Sequence, residues 1–251
     1  MKIKPAIMLP LLAIFIAEAL LFFKSYRYGI GIHIITLLAL SLTAYNTKDT
    51  ELSNMLQALA LLPLFRILNT TMPIFFSKTI YIFPMVYGPI FISLYYVARN
   101  QNFTKHELGI YFGKPQIYIP ASIALGLLLG KIEYNTIIVE SLVPVATLQN
   151  ILIFTFIMII FTGLPEELLF RSIVQTRLEQ SIGSIGGLVI ASLLFGAMHS
   201  GYGNIYEIMF TTSAGFLLGY IFQRTRNLPF IALTHGMINV FLFGLIPLGV
   251  I

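Results

Sequence analysis

Long apolar segments recur along the whole chain, and they constrain its fold more than any other feature. A helix needs about 20 consecutive apolar residues to cross a bilayer, and several segments here approach that length. The composition agrees, because 57% of the 251 residues are hydrophobic and only 10% are charged. Soluble domains carry about 25% charged residues. The sequence therefore predicts an all-α fold, a polytopic transmembrane helical bundle.

The apolar segments predict eight or nine helices within a single transmembrane domain over residues 1–251. They run over Pro5–Phe23, Gly29–Tyr45, Leu52–Leu68, Thr79–Ala98, Ile117–Gly130, Leu148–Gly163, Ser184–His199, Ile205–Phe222 and Leu228–Ile246. The helical period continues beyond Gly163, so we expect one long helix over Leu148–Gln180 with a kink at Gly163 and Pro165. A turn at Ser181–Gly183 would return the chain into the next helix.

Residue types exclude several functions. The sequence has no cysteine, which excludes disulfides, thiolate metal ligands and a cysteine nucleophile. Its single aspartate, Asp49, excludes a protease that uses two aspartates. The net charge of +5 lies mostly in loops and indicates topology. We therefore expect the lipid bilayer as a partner and no nucleic acid.

The distribution of lysine and arginine predicts the orientation of the bundle. Under a nine-helix count, ten basic residues lie on one side and four on the other. The first set is Lys2, Lys4, Lys48, Arg99, Lys105, Lys114, Arg171, Arg177, Arg224 and Arg226, and the second is Lys24, Arg27, Lys78 and Lys131. The positive-inside rule then places the N-terminus and the Arg171–Arg177 end in the cytoplasm.

Two adjacent carboxylates, Glu166 and Glu167, follow a long apolar run. Ionisable groups at membrane depth are costly and are functional-site candidates by default. At about 100° per residue, Glu167 and Arg171 share a helix face, so Arg171 can neutralise Glu167. Glu166 lies on the face of Phe170 and has no partner within the motif. We interpret Glu167 as structural and Glu166 as free to do chemistry.

Two histidines lie in the helices that follow. Glu166 comes about sixteen residues before the predicted turn and His199 about sixteen after it, which places them at similar depth. His235 and Asn239 are four residues apart and lie side by side on a third helix, where they could also hydrogen-bond between helices. Together these four polar groups suggest a common cavity, which we expect to open toward the cytoplasm. Because His199 and His235 would start from opposite ends of the membrane, we expect the helix over Ile205–Phe222 to be tilted or short.

The remaining polar groups favour structural roles. His106 lies in a loop and lacks a second histidine four residues on, so a surface role is expected. His33 is expected to be a packing residue. Glu18 and Arg66 are expected to pair with each other or to extend toward the membrane surface.

Three motifs in order resemble those of the type II CAAX prenyl endopeptidases, also called CPBP or Abi-type intramembrane proteases. E-E-x-x-x-R corresponds to Glu166–Arg171, F-x-x-x-H to Phe195–His199 and H-x-x-x-N to His235–Asn239. The resemblance covers about Phe161 to Phe241 and lies within residues 148–246, which we interpret as the catalytic core.

The resemblance implies an intramembrane endopeptidase that cleaves the C-terminal tripeptide of prenylated or similar membrane-bound peptides. By the family pattern, Glu166 and His199 would activate a water molecule. His235 and Asn239 would donate hydrogen bonds to the developing oxyanion. The supporting residues would be Glu167, Arg171 and Phe195.

The sequence leaves the cofactor open. Glu166, His199 and His235 match a catalytic zinc set in ligand type, so Zn²⁺ is the candidate metal. If Glu166 were a ligand, Glu167 would have to act as the base, although its spacing pairs it with Arg171. We therefore favour Glu166 as the base. We assign no definite cofactor, and Zn²⁺ remains the candidate metal.

Two other classes of function use the same residues. A membrane transporter or proton-relay protein could employ the buried glutamate and histidines. It would need a polar path through the N-terminal helices, where only Glu18, His33 and Arg66 occur. A catalytically silent membrane scaffold would tolerate substitution of Glu166.

Overall fold

The protein folds as a helical bundle, which confirms the predicted class. The computed structural model describes residues 5–71 and 79–251, and these contain no strand. Lys2, Lys4 and Lys78, used above for orientation, lie outside the described residues.

Nine helices in the described part of the chain are long and apolar enough to cross a membrane. They are α1 (Pro5–Phe22), α2 (Tyr26–Asn46), α3 (Thr50–Thr71), α4 (Thr79–Asn100), α5 (Pro115–Thr136), α6 (Leu148–Ile182), α7 (Ser184–Tyr202), α8 (Ile205–Thr225) and α9 (Leu228–Leu245). The predicted count of eight or nine is confirmed, and the protein is an integral multi-pass membrane protein.

One apolar core contains residues from the N-terminal helices and from the helices that carry the three motifs. Ile14 of α1, Leu59 of α3 and Leu94 of α4 belong to the same buried cluster as Ile173 of α6 and Leu194 of α7. The outer faces of the helices are also apolar, and their large exposed side chains suit a lipid solvent. The N-terminal helices therefore pack directly against the helices that carry the three motifs.

Helix α6 departs from α-geometry where it carries the first motif. It runs unbroken over 35 residues, and it contains two π-helical stretches, Ile159–Gly163 and Leu168–Gln175. Such wide turns are frequent at functional sites. The helix ends at Gly183, whose φ of +86° lies in the region that favours glycine. The predicted long helix and its turn are confirmed.

Arg171 corrects the orientation count. It was counted among loop residues, but it lies within α6 and is fully buried. Its guanidinium pairs with Glu167 inside the bundle and carries no topology signal. Nine basic residues against four remain, which is the same bias.

Helix α8 also differs from expectation. We predicted a tilted or short helix here; its 21 residues are long enough to cross the membrane, so the short alternative is wrong and the tilt stays a prediction. The short segment is in α7 instead, whose α-helical part covers only the 14 residues Ser184–Ala197. His199 therefore lies just beyond the α-helical part of α7.

Candidate active site

A buried cavity of about 330 Å³ opens between five helices of the bundle. It is lined by Phe65, Arg66, Asn69, Phe83, Tyr87, Thr162, Glu166, Phe170, Met198, His199, Gly201, Tyr202, His235, Asn239 and Phe243. Glu166 comes from α6, His199 from α7, and His235 and Asn239 from α9. The structure thus brings the four residues singled out by sequence into one cavity.

Glu166 has a partner that its own motif does not supply. The hydroxyl of Tyr87, on α4, donates a hydrogen bond to Glu166 Oε1. The other carboxylate oxygen, Oε2, lies 3.9 Å from His235 Nε2. One oxygen is therefore held by a phenol, and the other faces the histidine across the cavity. Sequence reasoning missed Tyr87, because α4 carries no motif that marks it.

Glu167 connects Arg171 to His235. Its Oε2 lies 3.2 Å from Arg171 Nε, as the spacing of four residues predicted. Its Oε1 accepts a hydrogen bond of 2.7 Å from His235 Nδ1. The Arg171 guanidinium also lies 4.5 Å from the centroid of the Phe195 ring, within cation–π range. Glu167 thus orients a histidine of the cavity while it balances a buried arginine.

His199 is held by the backbone of its own helix. Its Nδ1 lies 2.9 Å from the carbonyl oxygen of Phe195, so Nδ1 carries the proton and donates it. In the neutral ring, Nε2 then keeps a free lone pair. Tyr202 stacks against the imidazole with a centroid distance of 6.4 Å.

The Phe195 ring separates the two histidines and contacts both. Its centroid lies 4.9 Å from that of His199 and 5.7 Å from that of His235. Both imidazoles also line the cavity that Glu166 lines. A substrate group in that cavity would therefore have both imidazoles in its lining.

Asn239 is oriented by a contact between α9 and α6. Its Nδ2 donates a 3.2 Å hydrogen bond to Thr162 Oγ1, and the Thr162 hydroxyl donates to the carbonyl of Met158. The carboxamide is therefore fixed from the side of α6, one turn before Glu166. Sequence reasoning also missed Thr162, which sits in an ordinary apolar run.

The expected pairing of Glu18 with Arg66 is present. Arg66 Nε and Nη2 lie 2.8 and 2.7 Å from the two oxygens of Glu18. His33 Nε2 lies 3.1 Å from Glu18 Oε1, so His33 packs directly against the carboxylate of this pair. These three residues join α1, α2 and α3.

Glu18 and Arg66 also hydrogen-bond to the segment around His199. Arg66 Nη2 donates to the carbonyl of Met198, and Ser200 Oγ donates to Glu18 Oε2 at 2.5 Å. Met198 and Ser200 flank His199 in the chain, so the ion pair fixes the backbone on both sides of the histidine.

A second pair of buried carboxyls lies behind the cavity. Glu133 of α5 lines a small pocket together with His199, His235 and Asn239. Glu207 of α8 is fully buried, and neither of its carboxyl oxygens has a hydrogen-bond partner among the described residues.

The residues present do not fit the zinc site that their types suggested. Within residues 5–71 and 79–251, no group of three or more histidine, aspartate or glutamate side chains is arranged to hold a metal ion. His235 donates Nδ1–H to Glu167, so only its Nε2 could bind a metal. Because the described residues form no group of ligands, the catalytic roles are assigned to side chains alone.

The fold and the site define a class: multi-pass helical membrane proteins with a buried glutamate, two histidines and an asparagine around one cavity. Residues 148–241 match the model of a family described as type II CAAX prenyl endopeptidase Rce1-like. This match confirms the resemblance carried by the three motifs, and it spans Glu166, His199, His235 and Asn239. At the level of the family it supports a CAAX-type intramembrane protease. No match was found among curated proteins or among solved structures.

Proposed function

We propose that this protein is an intramembrane endopeptidase that removes the C-terminal tripeptide from prenylated or similar membrane-bound peptides. Within the single domain of residues 1–251, residues 148–246 would supply the catalytic core. Water activated by Glu166 would be the nucleophile. The observation that carries the proposal is the cavity that Glu166, His199, His235 and Asn239 share, because it presents a base and oxyanion donors to one small volume.

Glu166 and His199 would activate the water together. The water would donate one proton toward Glu166 Oε2, the carboxylate oxygen not held by Tyr87. Its other hydrogen would bond to the free lone pair of His199 Nε2. Two acceptors fix the direction of the remaining oxygen lone pair, which is what attack on a carbonyl carbon requires.

His235 and Asn239 would stabilise the negative charge that develops on the carbonyl oxygen. Since Glu167 accepts from Nδ1, a protonated His235 presents Nε2–H to the cavity. Asn239 holds Thr162 with one amide hydrogen and keeps a second for the oxyanion. When the C–N bond breaks, Glu166 would return its proton to the leaving amine. The products are a shortened peptide with a new carboxylate and a free tripeptide.

The first test is cleavage of a farnesylated peptide with a CAAX end by purified protein in lipid. Replacing the base, Glu166→Gln, should lower kcat by about 100-fold or more, the range expected for a general base. Glu140→Gln, at an exposed loop position, is the matched control and should keep full activity. Each protein is assayed with and without a chelator, which measures metal dependence separately.

The outcomes separate the competing functions. Cleavage by wild type that is lost in Glu166→Gln supports the protease. Unchanged cleavage in Glu166→Gln would contradict the role proposed for this carboxylate. If wild type cleaves neither prenylated nor unprenylated membrane peptides, the transporter or proton-relay function becomes the better candidate. Against that function, Glu18, His33 and Arg66 bind one another in a compact cluster instead of lining a path across the bundle.

A further inference from the structure

The described residues that line the cavity include a cationic side chain from the N-terminal helices, and the proposed catalytic steps do not use it. Arg66 of α3 is 6% exposed and lines the cavity with the residues named as catalytic. A buried arginine that reaches a substrate cavity is a candidate for recognition of a planar anion.

Two of the three nitrogens of this guanidinium are occupied. Nε and Nη2 bind Glu18, and Nη2 also donates to the Met198 carbonyl. Among the described residues, Nη1 has no hydrogen-bond partner. It faces the cavity near Gly201, where a built Cβ atom would lie 4.0 Å from it. Both hydrogens of Nη1 are thus available to a ligand.

The charge of Arg66 is only partly neutralised by Glu18. Besides the arginine, the Glu18 carboxylate receives the hydroxyl of Ser200 at 2.5 Å and has His33 Nε2 at 3.1 Å. The carboxylate thus accepts hydrogen bonds from Ser200 and from Arg66. Arg66 therefore keeps attraction for a second anion on its cavity side.

A neutral donor lies beside it. Asn69, one helical turn after Arg66, lines the same cavity, and no described residue hydrogen-bonds to its side chain. The wall around the two is apolar, with Phe65, Phe83 and Met198. This is the composition of a subsite for a short apolar peptide that ends in a charge.

We propose that Arg66 Nη1, with Asn69, binds the C-terminal carboxylate of the substrate. This inference rests on the proposed function, in which the cleaved segment is a tripeptide with a free carboxylate end. Three extended residues span about 10 Å. Arg66 lines the same cavity as Glu166 and His199, so a short segment bound at the reacting centre would end within that cavity. Arg66 would then determine how many residues lie between the cleaved bond and the C-terminus of the substrate.

The test compares two farnesylated peptides that differ only at the last group, a free acid in one and an amide in the other. Purified full-length protein in lipid should cleave the acid with a kcat/KM about ten- to hundredfold higher, the effect of one hydrogen bond to a charged group. The double variant Glu18→Gln with Arg66→Gln, which leaves no unpaired buried charge, should lose this preference, measured as the ratio of kcat/KM for the acid to kcat/KM for the amide within the same variant. Asn69→Ala should lose part of it, mainly through KM for the acid. Arg224→Gln, at an exposed position, is the control and should keep the full ratio.

Each result decides something different. Equal cleavage of acid and amide by wild type would overturn the carboxylate subsite and leave the protease standing. Cleavage of neither peptide would overturn the proposed function and the subsite with it. A double variant that keeps the preference would assign it to residues other than Arg66. The wild-type ratio does not depend on how well any variant folds.

Discussion

His199 and His235 are held by opposite kinds of partner. A neutral backbone carbonyl accepts the Nδ1 proton of His199, whereas the carboxylate of Glu167 accepts that of His235. A carbonyl leaves the ring neutral, with an accepting Nε2, while a carboxylate stabilises the protonated ring, with a donating Nε2. We infer that one histidine accepts a hydrogen bond from water and the other donates one to an oxyanion.

Glu166 and Glu167 should respond differently to the same substitution. Glu167→Gln leaves the guanidinium of Arg171, which is fully buried, without its carboxylate. An uncompensated buried charge costs about 3–5 kcal/mol, so the thermal unfolding midpoint should fall markedly. Glu166 has no arginine partner, and Glu166→Gln should unfold near the wild-type midpoint. Thermal unfolding of both variants in detergent measures the contrast, and equal midpoints would contradict it.

Helices α6 and α9 approach each other through two glycines. A Cβ atom on Gly163 would lie 2.5 Å from the carbonyl oxygen of Ala232, and one on Gly236 would lie 2.6 Å from the Cα of Ile159. Both positions face backbone, which cannot move aside as a flexible side chain can. This close contact places His235 beside the two glutamates of α6.

Gly163→Ala should therefore separate α6 from α9. Overpacking of this kind costs about 1–3 kcal/mol, and the displaced His235 should lower cleavage by more than about tenfold, since small misplacements of catalytic groups are costly. The matched control is Gly31→Ala in α2, where a Cβ atom meets nothing within 4 Å. Thermal unfolding and peptide cleavage are measured for both. Wild-type activity in Gly163→Ala would show that the α6–α9 contact does not set the site.

Helices and motif residues were predictable, because their signals are local in sequence. Apolar length gave the spans, and a spacing of four residues gave the Glu167–Arg171 pair. Tyr87 and Arg66 were not identified as parts of the cavity, since their contacts with Glu166 and Met198 join residues far apart in the chain. Such contacts depend on how α3 and α4 pack, which hydrophobic periodicity does not specify.

The whole bundle has a predicted direction in the membrane, and the excess of basic residues places the Arg99–Lys114 loop in the cytoplasm. Because the chain has no cysteine, single cysteines report their own side without background. In sealed cells, Glu140→Cys should react with a membrane-impermeant maleimide, and Lys105→Cys should react only after permeabilisation. Both positions are exposed, so protection by the protein itself does not confound the comparison. The reverse pattern would invert the orientation.

The contact of Tyr87 with Glu166 has a consequence for how this protein can vary. The segment that carries the three motifs does not form the site alone, because the Tyr87 hydroxyl from α4 hydrogen-bonds to the Glu166 carboxylate. Grafting that segment onto another membrane scaffold would transfer the motifs without the hydroxyl that orients Glu166. Randomised libraries of the first four helices should therefore yield inactive clones at Tyr87 as readily as libraries of the motifs themselves.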